Sequence, residues 1–457
     1  MRGLAGRVGC GECTPREGDV KRRRDLDVLL PRISVSLSAG APTPYIGGCS
    51  PPQPVHPAVQ PTETDVPGRR PPRVVYFTES LLPHVDGVSR TLAQLFGFLE
   101  RRGVEFRVYS PFVPGPEVSW SGRVRPVKFV RFPLYPDYRV SLPLGIPNLG
   151  GRGIARELRE WGPDLVHLVS PTPMARSAQR WAEKNGVPTV SSFHTHFVSY
   201  FRYYGVPALE PFGWRMLRRF YARDRKVYAP SHSIIAELAD QGIGNTELWS
   251  RGIDLARFSP GHRDPELRRQ AGAEGETPIV LMVSRLVKEK DMADLVRMDR
   301  ILRQRGNQYR LVLVGDGPMR AELERDLPDA HFAGHQSGEG LARWYASGDA
   351  FVFPSTTETF GNVVVEAQAS GLPTVVVNRG GPPDLVQPGT TGFIARPNDP
   401  EDLALAVETL LRDPEARARM GAQARAAAAE RDWAAINGRL LESYARVIDS
   451  HRSPRRP

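Results

Sequence analysis

The chain has 457 residues, 40% hydrophobic and 25% charged, with a formal charge of +10; it is an ordinary globular composition, too long for one typical core, so two domains are expected. No apolar run is long enough to span a bilayer, no apolar segment follows the basic start as an export signal requires, and the three cysteines (Cys10, Cys13, Cys49) leave the rest without disulfides, so the reading is cytoplasmic. The positive balance suits polyanionic partners: nucleotide phosphates, anionic lipid or nucleic acid.

Residues 1–72 are rich in Pro, Gly, Ser and Arg, include the basic run Lys21-Arg22-Arg23-Arg24, and have little periodicity. Such a segment does not offset its ordering entropy, so disorder is expected, as a flexible arm or a start assigned too far upstream. Cys10-Gly-Glu-Cys13 lacks the second pair that a zinc site needs. The folded part begins at Arg73. Val74-Val75-Tyr76-Phe77 reads as a strand, followed by the loop with Pro83 and Gly87, then a helix over Ser89–Arg101 with Leu92, Leu95, Phe96 and Leu99 on one face. Strands at Phe106–Tyr109, Leu165–Leu168, Thr189–Ser192 and Lys226–Ala229, with a helix from Pro173 to about Asn185, continue a β/α alternation.

The polar stretch Asp254–Pro265 suits a linker, after which the pattern restarts. Ile279–Val283, Tyr309–Val314, His331–Ala333, Ala350–Phe353 and Thr374–Val377 read as strands, with a helix near Met292–Gln304 and helices from Pro400 to Ile448. The expected architecture is α/β: two doubly wound, Rossmann-like parallel-sheet domains facing a cleft. Their bounds are 73–258 and 259–430, with 431–457 a C-terminal helix crossing back and a tail.

Ligands of such sheets bind beyond the carboxyl ends of the strands, and the chemically informative residues sit there. Arg285 and Lys290 follow the first strand of the second half; a planar fork and a point charge suit a diphosphate. Gly315-Asp316-Gly317-Pro318 permits a tight turn and close backbone approach to a ligand, with Pro318 opening a helix. Glu358 and Glu366 stand two helical turns apart and share a face if one helix covers both. Between them Phe360-Gly361-Asn362 offers backbone N–H groups at a helix N-terminus, where an anion can bind, and Glu366 suits a ribose diol. In the first half Gly87 allows a phosphate to approach the backbone, and His194 and His196 suit polar contacts to a sugar. A pair of histidines without carboxylates does not make a metal site. Asp25-Leu26-Asp27 is the one acidic pair of metal-binding form, and it lies in the arm.

In this order, with Ser231 and Arg251-Gly252-Ile253-Asp254, these residues give a chain that resembles the GT-B retaining glycosyltransferases of family 4, whose mark is two glutamates separated by seven residues. The likeness covers Arg73 to Ile448. Phe77-Thr78-Glu79, Phe193–Phe197 and Leu248–Gly252 look like the branch of GDP-mannose-dependent mannosyltransferases and sulfoquinovosyl-lipid synthases. The resemblance implies a hexosyltransferase acting with retention and without a required metal or cofactor. The donor would be a nucleotide diphosphate sugar, GDP-mannose favoured and a UDP-sugar the alternative. It implies that Arg285 and Lys290 hold the diphosphate, that Gly87 meets the distal phosphate, that Glu358 with Phe360–Asn362 binds the sugar and Glu366 the ribose, and that His194 contacts the sugar near its reacting carbon. Asp291 where glycine is common, Met298-Asp299-Arg300 and Asp86 depart from the pattern. A nucleotide-sugar 2-epimerase and a two-lobed sugar-binding protein are the competing readings; a dinucleotide enzyme lacks its glycine fingerprint.

A lipid or glycan acceptor is expected, and no nucleic acid. On a helix, Trp214, Leu217 and Tyr221 share one side while Arg215, Arg218, Arg219 and Arg223 gather on another, with Tyr200–Tyr204 upstream. This mix suits either an anionic membrane surface, on the inner face of the plasma membrane, or an amphipathic helix packed on its own sheet.

Overall fold

The computed structural model describes residues 71–132, 135–143, 151–198 and 205–453, all in one compact unit. The expected arm up to residue 70, with its cysteines and Asp25-Leu26-Asp27, and the stretch Tyr200–Tyr204 lie outside the described residues.

In the first half the strands are β1 (Arg73–Phe77), β2 (Glu105–Ser110), β3 (Val124–Pro126), β4 (Phe129–Phe132), β5 (Tyr135–Ser141), β6 (Leu165–Leu168), β7 (Thr189–Ser192), β8 (Lys226–Ala229) and β9 (Thr246–Leu248). Seven of them form a parallel sheet in the order β3-β2-β1-β6-β7-β8-β9, and β4 and β5 pair antiparallel beside it. The second half repeats the plan with β10 (Ile279–Val283), β11 (Arg310–Val314), β12 (His331–Gly334), β13 (Ala350–Phe353), β14 (Thr374–Val377) and β15 (Gly392–Ala395), in the order β12-β11-β10-β13-β14-β15. The architecture is GT-B: two Rossmann-like parallel sheets, each flanked by helices. Every residue of β10 is buried, as a strand covered on both faces requires. Strand order reverses between β1 and β6 and between β10 and β13, so each sheet opens a crevice at the carboxyl ends of those strands. Gly87, Ser284–Lys290 and Pro354–Asn362 follow β1, β10 and β13.

Asp86 caps the helix Gly87–Arg101. It accepts from the Ser89 N–H (2.7 Å), and its own N–H donates to Ser89 Oγ (2.8 Å). Burial alone would raise its pKa, but hydrogen bonds from His84, Ser89 and Ser80 hold the carboxyl below its ordinary value. Asp86 therefore serves as the helix cap. In the helix Met292–Gln304 the departure at Met298-Asp299-Arg300 keeps the apolar period. Met298 is buried, Arg300 faces out, and buried Asp299 accepts from Tyr309 Oη (2.5 Å) and Arg303 Nε (2.8 Å).

The last helix, Trp433–Arg452, packs on the first half. Ile436, Leu440, Tyr444, Val447 and Ile448 recur at helical spacing and join Val74, Tyr76, Leu92, Phe96 and Leu99 in one core. Polar side chains fix its seat. Tyr444 Oη lies 2.5 Å from His167 Nδ1, whose Nε2 is 2.8 Å from Ser192 Oγ; Tyr228 Oη meets Ser443 Oγ at 2.8 Å. Burial drops the His167 pKa to about 3, so the ring is neutral in this network.

Candidate active site

The second-half wall is built from the loops after β10, β11 and β13, the first two in direct backbone contact. A Cβ on Gly315 would fall 1.8 Å from Ser284 O, and one on Gly317 2.4 Å from Leu286 O. The glycines thus let the loop after β11 pack against the one carrying Arg285 and Lys290. The expected close approach is to protein backbone. Pro318 does not open the next helix, which starts at Arg320 behind Met319.

Lys290 Nζ pairs with Glu358 Oε1, joining the loops after β10 and β13. Arg285 is exposed, with Nη2 3.6 Å from the buried Glu289 carboxylate. Asp291 adopts φ 54°, the left-handed conformation that explains why glycine is common there. Its Oδ2 accepts from the N–H and the hydroxyl of Thr356, both at 2.8 Å, so this acidic group is tied to the Glu358 loop.

Glu358 and Glu366 do not share a helical face. The helix is Asn362–Ala369, preceded by Gly361 at φ 96°, and Glu358 lies in the loop before it. The left-handed residue turns the chain into the helix at Asn362, so only Glu366 is carried by it. Glu366 is buried; Oε2 accepts from Tyr345 Oη (2.9 Å) and Oε1 from Arg90 Nη1 (3.2 Å). Burial raises its pKa, opposed by Arg90 and Tyr345.

Arg90 belongs to the first half, and it is one of several contacts across the cleft. Thr359 Oγ1 donates to His194 O (2.7 Å), Ser231 Oγ donates to Thr359 O (2.9 Å), and the Ser233 N–H donates to Asp384 Oδ2 (2.9 Å). Gly87 faces Asn362 so closely that a Cβ would lie 3.0 Å from Asn362 Nδ2. The Arg431 guanidinium sits 5.7 Å from the Phe360 ring centre. The structure therefore gathers Gly87, His194, Lys290, Glu358, Phe360, Gly361, Asn362 and Glu366 around one cleft. Arg90, Ser231 and Arg251 join them, though sequence reasoning gave Arg90 no role and knew Ser231 and Arg251 only by motif order. Arg251 Nη2 lies 2.7 Å from His194 Nδ1. Among the described residues no group of three His, Cys, Asp or Glu side chains converges as a metal site would require.

The first-half surface corrects two expectations. Trp214 and Leu217, read as a face for membrane or acceptor, are buried with Phe220 and Tyr221 in their own core, because the helix Glu210–Tyr221 turns that side to the sheet. His196 Nε2 is 2.7 Å from Glu237 Oε1 and its ring stands edge-on to Trp214. That tie holds the imidazole to the first half's own helices and takes Nε2 away from a sugar. What the helix exposes is Phe212 (63%) and Met216 (51%), with Arg215 and Arg219 beside them. Arg218 also faces out, its Nη1 3.4 Å from Gln241 O. Among the described residues no helix is long and apolar enough to cross a membrane.

Residues 263–427 match the family described as glycosyl transferases group 1, and residues 85–257 match glycosyltransferase family 4. A GDP-mannose-dependent alpha-mannosyltransferase of Mycobacterium tuberculosis (strain CDC 1551 / Oshkosh) is 36% identical over 82% of this chain and 97% of its own. Sulfoquinovosyl transferase SQD2 of Arabidopsis thaliana is 33% identical over 83% of this chain and 74% of its own. Among solved structures, Anabaena Alr3699/HepE in complex with UDP and glucose superposes with a TM-score of 0.64 at 21% identity, covering 82% of this chain and all of that one; the likeness is of fold.

Proposed function

The chain belongs to glycosyltransferase family 4 and moves sugar from a nucleotide donor, and from that premise we propose that it is a retaining, metal-independent hexosyltransferase whose donor is GDP-mannose. The observation that carries the reading is the joining of Lys290 to Glu358 beside the Phe360–Asn362 turn, which puts a cation, a carboxylate and backbone N–H groups at the mouth of one crevice. Lys290 and Arg285 stabilise the diphosphate as it departs. Glu358 and the N–H groups of Phe360–Asn362 hold the sugar, and Gly87 lets the helix Gly87–Arg101 present its N-terminus to the distal phosphate. Glu366 keeps Tyr345 on one oxygen and exchanges the half-exposed Arg90 for the ribose diol on the other. The bond from the sugar's anomeric carbon to phosphate breaks as the bond to the acceptor oxygen forms on the same face. The acceptor proton passes to the phosphate oxygen that leaves, so no side-chain nucleophile is needed.

We assign the acceptor to a membrane lipid. Support comes from Phe212 and Met216, exposed on one helix with Arg215 and Arg219, a pattern that inserts apolar side chains while cations meet anionic headgroups. Purified protein given GDP-mannose, UDP-glucose and UDP-galactose, with lipid extract as acceptor, should release GDP. Release of UDP alone would move the donor, and sugar inversion at C2 without acceptor would favour a 2-epimerase. Anionic vesicles should sediment the protein at low salt, and Phe212→Ser with Met216→Ser should abolish this; equal, negligible binding to anionic and neutral vesicles would point to an acceptor in solution.

A further inference from the structure

His194 is expected to touch the transferred sugar, and its side chain carries a constraint that comes from Arg251. Arg251 is 4% exposed, and among the described residues no carboxylate pairs with it. Its Nη1 donates to Trp249 O (2.6 Å) and Ser250 O (3.1 Å), and its guanidinium lies over the Trp249 ring at 4.9 Å. The next residue, Gly252, packs so closely on Trp433 that a Cβ would sit 2.6 Å from the indole, so the chain beside Arg251 is seated against the last helix. The contact between Arg251 Nη2 and His194 Nδ1 at 2.7 Å then has one sense, because a guanidinium only donates. His194 Nδ1 must be the acceptor. A neutral imidazole whose Nδ1 accepts carries its proton on Nε2, and His194 Nε2 is enclosed and has no partner among the described residues. A buried donor without an acceptor is costly unless something that binds supplies one.

We infer that Arg251 is a positioning residue that locks His194 as a neutral Nε2–H donor for an oxygen of the bound sugar-diphosphate. This inference rests on the glycosyltransferase reading of the cleft. The lock excludes His194 as a general base, since Nε2 already holds its proton and Nδ1 is taken. The Arg251 charge also polarises the ring, so its Nε2–H bonds more strongly to an oxygen on which negative charge grows. Burial and Arg251, with a smaller contribution from His167, keep the His194 pKa well below its ordinary value. Arg251 and His167 are the titratable groups acting on the ring, and His167 is itself neutral. Burial brings the Arg251 pKa down to about 9, which leaves it cationic near neutrality.

The test is histidine-selective 15N NMR of the full chain, with the His194 signal assigned by His194→Gln, alongside kinetics with GDP-mannose. His194 should show an unprotonated Nδ1 and a protonated Nε2 from about pH 5 to 8, with no titration in that range. In Arg251→Met the His194 pKa should rise from its parent value but stay below the ordinary imidazole range, because burial still opposes the charged ring, and the Nδ1–H tautomer should become populated. Its kcat should fall roughly tenfold to hundredfold with donor KM little changed, and any acid limb of its activity should lie at higher pH than the parent's. Arg251→Lys, which still only donates, should recover the tautomer and part of kcat. A His194 that carries its proton on Nδ1, or titrates near pH 6.5 in the parent, would overturn the inference. So would an Arg251→Met protein that loses activity equally at every pH with the His194 spectrum unchanged. If Arg251→Met does not fold, the parent spectrum and Arg251→Lys decide. The spectrum needs no substrate, so a parent that releases no nucleotide would count against the proposed function and leave the spectrum to judge Arg251.

Discussion

The two walls of the cleft hold their charges differently. On the second-half wall the charged groups are paired: Lys290 with Glu358, Arg285 beside Glu289, Glu366 with Tyr345 and Arg90. On the first-half side burial dominates: His194 is held neutral, Arg251 lacks a carboxylate among the described residues, and Glu79 just after β1 is buried with no cation paired to it among them. Paired charges can exchange a protein partner for a ligand at little desolvation cost. Buried unpaired ones fix a protonation state. The lesson is that the wall read as donor-binding should respond to substitution through substrate affinity and turnover, and the opposite wall through pH.

The largest expected effect is at the paired wall. Lys290→Ala should cost about 2–4 kcal/mol of transition-state stabilisation, lowering kcat roughly thirtyfold to nearly a thousandfold. An unchanged kcat would break the diphosphate assignment. Next comes Glu366→Ala, which removes the acceptor expected for the ribose. It should weaken GDP binding by about 1.5–3 kcal/mol in calorimetry and affect kcat less.

The pH arm of the comparison is Glu79. Burial raises its pKa from 4.5 to about 7, opposed more weakly by the Thr172 and Ser141 hydroxyls. Its folded pKa lies above its unfolded one, so the native state keeps a proton that the unfolded chain loses. Stability from this group is present below about pH 4.5 and falls as pH rises to about 7. Glu79→Gln should therefore raise Tm at pH 8, by an amount equivalent to about 2–3 kcal/mol, and leave it unchanged at pH 4.5. A gain of the same size at both pH values would show that the carboxyl is not the source. The smallest effect is expected at Asp291→Gly. Relief of the left-handed backbone nearly offsets loss of the bonds from Thr356, so thermal unfolding should shift by less than about 1 kcal/mol.

Sequence periodicity carries the sheet framework because β1 and β10 are apolar runs bounded by turn residues, and Leu92, Leu95, Phe96 and Leu99 keep helical spacing. The β4–β5 pair escapes it: Pro133 and Pro136 break the apolar alternation, and among the described residues the strands pair only with each other. The three-residue edge strands β3 and β9 escape for lack of length. At the site, motifs disclose residues close in sequence, such as Phe360-Gly361-Asn362. They do not disclose couplings across the fold: Arg90 to Glu366 spans 276 residues and Arg251 to His194 spans 57. Whether Glu358 sits on a helix depends on the left-handed turn at Gly361, which spacing alone does not reveal. Trp214 and Phe212 have the same apolar character in sequence. Only the docking of their helix decides that the first is buried and the second exposed.

The most direct test of the central claim is NMR of the product formed from GDP-mannose and lipid acceptor in excess EDTA. The anomeric one-bond carbon–proton coupling should report an α-mannoside, formed in step with GDP release. A β-mannoside, or activity lost to EDTA and restored by Mg²⁺, would contradict the account.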